Sequence, residues 1–147
     1  MVSEFAQQKD RLLARGLRPT RARLWILGEL GGRDDHPTAE MLLEASRRGD
    51  HPLSTATLYQ NLNRLAEVGL LRRFPGPRGI MRFEADLGPH HHLVCAACGL
   101  VLDAQLDEEQ VRRLQPVEAR TGAPITRWTL QAARIELCGL CPDCQGD

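Results

Sequence analysis

No stretch of this sequence approaches the ~20 consecutive apolar residues that a membrane-spanning helix requires. The opening MVSEFAQQKDRLLARG is charged and periodic and lacks the apolar segment of a secretory signal, which predicts a cytoplasmic protein. Internal repeats and low-complexity tracts are also absent, and no cysteine precedes Cys95. The chain has no net charge either, with 19 Lys and Arg against 19 Asp and Glu. Its 147 residues allow one ordinary domain or two small ones. A hydrophobic fraction of 42% with 26% charged residues is a globular balance and excludes wholesale disorder.

The zero net charge hides an asymmetry. Residues 1–82 carry 14 basic against 9 acidic side chains, and residues 83–147 carry 5 against 10. A basic first half and an acidic second half suggest a polyanionic partner for the first.

Punctuation along the chain divides it into elements. Residues 4–15 form an amphipathic helix closed by Gly16. Pro19-Thr20 opens a second helix with Leu24, Leu27 and Leu30, ended by Gly31-Gly32. His36-Pro37-Thr38 leads into a short third helix through Met41, Leu42 and Ala45. Ser54 caps a fourth that stops at Gly69. Strands at Leu70–Phe74 and Ile80–Phe83 flank the turn Pro75-Gly76-Pro77-Arg78-Gly79. Helices followed by a β-hairpin make a winged helix-turn-helix over 1–83, with a linker at 84–89 and a second domain over 90–147. In that domain we expect a strand with a tight CxxC turn over 92–103, a helix from about residue 107 shortened by Pro116, and a long strand near 125–138.

The fourth helix has the build of a DNA reader. Leu58, Leu62 and Leu65 fall within about 60° of one another and form its buried stripe. Ala56, Gln60, Asn63, Arg64 and Glu67 lie opposite, with Thr57 and Tyr59 on the flanks. Short polar groups near the helix start reach base edges, and Tyr59 reaches a thymine methyl or a phosphate. Arg72, Arg73 and Arg78 in and around the wing are candidate phosphate contacts, and Arg15, Arg18, Arg21 and Arg23 add positive charge. An isolated helix of this kind is more simply a solvated amphipathic one. The adjoining wing and the basic half favour DNA.

Cys95, Cys98, Cys138, Cys141 and Cys144 are clustered at two-residue spacing, a pattern that in a cytosolic chain means metal more often than disulfide. Cys95-Ala96-Ala97-Cys98-Gly99 is one zinc knuckle. Cys138, Cys141 and Cys144 make two overlapping CxxC pairs. We take Cys141 and Cys144, because Pro142 permits a knuckle there while Cys138 ends the extended run R-I-E-L-C. With 42 residues between Cys98 and Cys141, the metal staples two distant elements of a small domain. The rivals are an iron–sulfur cluster, since C-x2-C-x2-C matches part of a ferredoxin run, and a pair of disulfides.

Gly88-Pro89-His90-His91-His92 leads into the first knuckle. On a strand, His90 and His92 share a face and His91 points the other way. Glu84 and Asp103 bracket the region and add oxygen ligands. His36, in the other half, would make a second metal site that bridges the domains. Each residue alone has a plainer reading, as a surface turn residue or a cap, but three consecutive histidines favour metal.

Together L-R-P-T-R-A-R, H-P-T-A-E, S-T-A-T-L-Y-Q-N-L, G-L-L-R, H-H-H-L-V-C-A-A-C-G-L-V-L-D and G-L-C-P-D-C resemble the ferric uptake regulator family of bacterial metal-dependent repressors, over nearly the whole chain. The resemblance implies an α+β homodimer, each chain a winged helix plus a small C-terminal α/β dimerisation domain. It implies structural Zn(II) at Cys95, Cys98, Cys141 and Cys144, and a regulatory metal at His36, Glu84, His90, His92 and Asp103. Some members hold a further metal through the residue between the two histidines, a helix acid and a later histidine. His91 with Glu108 or Glu109 fits in part, but no histidine follows residue 92, so that site is expected to be absent or incomplete. The stretch 121–134, with Trp128, is longer than usual. Cys138 stands where an aromatic is common, which suggests a small buried hydrophobe.

Three imidazoles and two carboxylates without a thiolate suit Fe(II) or Mn(II), with Zn(II) able to bind in vitro. Zinc sensors of the family usually recruit a cysteine here, and peroxide sensors tend to carry Asp where Glu84 stands. The leading expectation is therefore a metal-dependent repressor of metal-homeostasis or oxidative-stress genes, acting as a homodimer on a palindromic DNA operator, with no membrane partner. A peroxide-sensing regulator is the alternative and a zinc-uptake regulator a weaker one. A metalloenzyme using the His/carboxylate set is the reading from a different class, and a zinc-stabilised interaction module is a third.

Overall fold

The computed structural model describes residues 4–50, 52–114, 122, 128–129 and 131–146. Four helices come first, α1 (Glu4–Ala14), α2 (Arg21–Gly31), α3 (Ala39–Arg48) and α4 (Thr55–Glu67). Three of them start on a hydroxyl cap. Thr20 accepts from the Arg23 amide, Thr38 from Met41 and Ser54 from Thr57, each satisfying one orphan donor of a first turn. The chain leaves α1 and α4 through Gly16 and Gly69, both at φ near +70°, where a side chain would be strained.

The helices bury one cluster. Leu12, Ile26, Leu27, Leu42, Leu58, Leu62 and Leu65 are almost inaccessible, and Leu70, Leu71 and Phe83 close it from the wing. Each such side chain contributes roughly 1.5–3 kcal/mol on leaving water, so the cluster sets the helix angles. The wing is β1 (Arg72–Pro75) paired antiparallel with β2 (Met81–Glu84), joined by a single 3-10 turn at Pro77–Gly79. Both strands begin and end slightly later than the alternation predicts, and Glu84 is the last residue of β2.

The second half holds a three-stranded sheet in the order β4-β3-β5. Strand β3 (His91–Cys95) turns through the CxxC knuckle into antiparallel β4 (Val101–Ala104). The short α5 (Glu108–Arg113) follows, capped by Asp107, which accepts from the Glu109 and Gln110 amides. Then β5 (Glu136–Gly139) runs parallel to β3.

The strand expected near 125–138 is thus four residues long and begins at Glu136. Residues 123–127 and 130 lie outside the described set, as does the expected break at Pro116. The reason lies in β3. It begins at His91, whose own Nδ1 accepts the Ile135 amide at 3.1 Å, so a side chain takes over where the ladder would continue. Cys138 is also a correction. It is exposed rather than buried, on the edge strand β5, whose four residues are all exposed, and its thiol lies 3.5 Å from Glu136 Oε1.

Leu93, Leu102 and Leu137 are cross-strand partners in one row and stay 38–47% exposed. Val94 and Val101 on the opposite face are buried. No described helix is long and apolar enough to cross a membrane.

Candidate metal centres and nucleic-acid face

His36 sits between α2 and α3 at φ 44°, a left-handed conformation uncommon outside glycine. Its loop is pinned by Arg33, which grips Asp35 bidentately at 2.8 and 2.6 Å and reaches Glu29 at 3.1 Å. That guanidinium holds the Asp35 carboxyl below its usual range. His36 itself is 3% exposed.

From the winged-helix half, His36 meets the sheet. Its Nε2 lies 2.8 Å from Oδ1 of Asp103 on β4, and its Nδ1 lies 3.5 Å from Oε2 of Glu84. His90 Nε2 stands 2.8 Å from the same Glu84 oxygen and 3.1 Å from His92 Nε2. His92 opposes Asp103 in the β3–β4 register. One ligand atom from each of the five residues lies within 4.8 Å of all the others. These are the five positions that the sequence singles out, and the fold brings all of them together. Strand alternation turns His91 away, onto Ile135.

The electrostatics suit a cation. Two carboxylates face three imidazoles, and Glu84 is almost wholly buried. The His36 Nδ1 is buried without a hydrogen-bond partner. His90 Nδ1 lies 3.0 Å from the Gly88 carbonyl oxygen. Only a protonated nitrogen can bond there, so Nδ1 donates and leaves Nε2 as the ring atom facing the cluster, where a ligand nitrogen is needed. Burial, then the neighbouring His36, push the pKa of His92 down. Phe74 stacks on the His92 ring at 4.7 Å and walls off that side. Hard oxygen and borderline nitrogen donors fit Fe(II), Mn(II) or Zn(II).

The second cluster joins Cys95, Cys98, Cys141 and Cys144, their sulfurs also within 4.8 Å of one another. Cys95 ends β3, Gly99 at φ 78° turns the first knuckle, and a 3-10 turn at Pro142–Cys144 forms the second. Cys98 and Cys141 Sγ are 3.7 Å apart. A tetrahedron of thiolates about 2.3 Å from zinc has an edge of about 3.8 Å. The Cys141 and Cys98 amides draw the Cys95 thiol down to about 6, while the facing Cys141 and Cys98 sulfurs push Cys144 up to about 12. Four thiols packed this closely ionise together only around a cation.

On α4 the leucine stripe is buried, and Tyr59, Gln60, Asn63 and Arg64 are exposed. Tyr59 donates to Glu40 at 3.1 Å, and Arg64 pairs with Glu67 at 3.0 Å. Thr57 is half-buried, its hydroxyl 2.8 Å from that of Ser54 in the helix cap. Arg73 of β1 donates to Asn63 Oδ1 at 3.0 Å and ties the wing to this helix. Arg78 is exposed at the wing tip and donates to the Ala97 carbonyl at 3.3 Å. Arg72, expected on a phosphate, is instead turned inward. It donates to Glu84 Oε1 at 2.8 Å and to the Leu87 carbonyl at 2.9 Å, and so supports the five-residue cluster. Arg23 is likewise held by Asn61 and the Arg18 carbonyl. Among the residues that the sequence did not single out, Arg33 and Arg82 touch this machinery, and neither lies in a pattern that advertises it.

Comparison with known proteins agrees with this geometry. The chain is 31% identical over 133 residues to the peroxide-responsive repressor PerR of Staphylococcus saprophyticus, covering 88% of this chain and 84% of that protein. The crystal structure of the Vibrio cholerae ferric uptake regulator superposes with a TM-score of 0.70 at 28% identity, over 90% of this chain and 98% of that one. The Pseudomonas aeruginosa ferric uptake regulator with manganese gives 0.69 at 28% identity, over 92% and 98%. The model of the ferric uptake regulator family matches residues 14–132. The chain therefore belongs to the ferric uptake regulator family, whose members are metal-responsive transcriptional regulators and not enzymes.

Proposed function

We propose that this chain is a homodimeric, DNA-binding repressor whose affinity for a palindromic operator rises when Fe(II) or Mn(II) occupies His36, Glu84, His90, His92 and Asp103. The carrying observation is that His36 reaches Asp103 at 2.8 Å across the two halves of the chain. A divalent ion at this set has ligands from both halves, so it favours one hinge angle and shifts the population toward it. That angle sets the spacing of two α4 helices on successive major grooves. Zn(II) at Cys95, Cys98, Cys141 and Cys144 holds the second half together. The apolar row Leu93, Leu102 and Leu137 supports a dimer, since an exposed row of this kind on a small sheet gains from a second copy. Tyr59, Gln60, Asn63 and Arg64 read the DNA, with Arg78 at the wing.

The test is metal analysis of protein purified without oxygen, paired with gel shift on a native operator in the presence of each metal. The expected result is one zinc per chain resistant to dialysis and DNA binding restored by Fe(II) or Mn(II). DNA affinity indifferent to both metals would sink the reading.

A second reading is favoured by the name of the Staphylococcus saprophyticus relative, a peroxide-responsive repressor. It keeps the same site and adds that peroxide abolishes DNA binding of the iron-loaded form but not of the manganese-loaded form. Gel shifts of the two forms after brief peroxide exposure separate the readings.

A further inference from the structure

One guanidinium touches the surroundings of both clusters. Arg82 of β2 is 9% exposed, and no carboxylate among the described residues pairs with it. It donates through Nη1 to the His36 carbonyl at 3.1 Å and through Nη2 to the Gly99 carbonyl. His36 belongs to the five-residue cluster. Gly99 directly follows Cys98 in the first zinc knuckle. The third donor, Nε, has no partner. A buried cation is costly unless its donors are satisfied, so two backbone carbonyls from opposite halves of the chain carry the compensation.

Two glycines make the room. A Cβ on Gly76 would sit 2.7 Å from Arg82 Cγ and 3.2 Å from its Nε, although φ at Gly76 is ordinary. A Cβ on Gly99 would meet Nη2 at 3.4 Å. The wing turn and the knuckle turn thus both close on this side chain. The Arg78 contact with Ala97 lies along the same seam.

We propose that Arg82 is a positioning residue that couples the two metal clusters, so that filling the five-residue cluster protects the four-cysteine zinc. This rests on the reading that both clusters hold metal. The warrant is geometric. Fixing His36 through its side chain fixes its carbonyl, which fixes Nη1. A rigid planar fork then sets where Nη2 meets Gly99, and so holds the knuckle closed. A lysine cannot do this, because one ammonium on a flexible stem does not hold two carbonyls in a set relation. Linkage makes the effect mutual, so an intact knuckle also favours metal at the five-residue cluster.

The experiment needs no DNA. Full-length, zinc-loaded protein is treated with iodoacetamide, and zinc release is followed with a zinc-sensitive dye, with and without saturating Mn(II). Binding of Mn(II) is monitored separately by the electron spin resonance of the free ion. In the unmodified protein, Mn(II) should slow release by about fivefold or more. In Arg82→Met the two rates should converge while both metals still bind, and Arg82→Lys should recover only part of the difference. Should Arg82→Met come from purification without zinc, Arg82→Lys decides, by partial against full protection. Full protection in either variant overturns the proposal. So does an unmodified protein that binds Mn(II) but releases zinc at one rate, a result that leaves metal-dependent DNA binding standing. An unmodified protein that binds no Mn(II) removes the functional reading itself, and this inference with it.

Discussion

Arg72 and Glu84 stand opposite each other at the open end of the wing, as Cα partners in the β1–β2 register, and their side chains close at 2.8 Å. One oxygen of the Glu84 carboxylate therefore belongs to the wing and the other to the five-residue cluster. Removing the arginine leaves a buried carboxylate beside Asp103 with only imidazoles to answer it. We expect Arg72→Gln to destabilise the metal-free protein by about 3 kcal/mol. Mn(II) should restore more stability to this variant than to the unmodified protein, since it supplies the missing positive charge. Thermal unfolding with and without Mn(II) measures both changes, and equal metal gains in the two proteins would contradict the argument.

Serine in place of Cys95, Cys98, Cys141 or Cys144 should each remove one tightly held zinc and unfold or monomerise the second half. Cys138→Ser should keep its zinc, because that thiol faces Glu136 and lies outside the cluster. Zinc per chain by mass spectrometry, with mass by light scattering, gives the answer. Zinc lost from Cys138→Ser but kept by Cys144→Ser would reverse the assignment.

Tyr59→Ala and Arg64→Ala should weaken operator binding by about 1–3 kcal/mol each, the range of a base contact. Both side chains are exposed on α4, remote in sequence from either metal cluster, so metal content should not change. Fluorescence anisotropy at fixed salt measures the loss. Unaltered affinity in both variants would remove α4 as the reading helix.

His36→Ala and His92→Ala should keep the dimer and the cysteine-bound zinc yet lose the rise in DNA affinity on adding Mn(II). His91→Ala should be milder, losing one bond to the Ile135 amide where β5 docks. Titrating DNA affinity against Mn(II) in the three variants compares them directly. A full response in His36→Ala with none in His91→Ala would put the sensing site on the other face of β3.

Much of the fold and of both clusters is legible in the residues themselves, for local reasons. The hydroxyls of Thr20, Thr38 and Ser54 mark helix starts because a cap acts within three residues of itself. His90 and His92 separate from His91 because strand alternation has a period of two. The cysteine pairs depend on spacing and on Pro142. What escapes depends on register and on partners far away. Arg72 looks like a phosphate contact until the β1–β2 pairing places Glu84 opposite it. The length of β5 follows from where β3 begins, and Cys138 shares the exposure of the whole of β5; neither is written in the residues 125–138 themselves. Arg82 needs two turns from different halves to close on it before its role is visible.

The hydrophobic cluster under the winged helix draws all its buried members from residues 12–83. The sheet of the second half needs β5, which arrives at Glu136, and its four-cysteine cluster needs Cys144. During synthesis the first half thus has every buried residue of its core about sixty residues before the second can join β5 or close its knuckles. A nascent chain thus holds every buried residue of the core that carries α4 well before β5 emerges. If α4 reads DNA as proposed, the order of emergence leaves an interval in which the reading helix precedes the parts that would govern it.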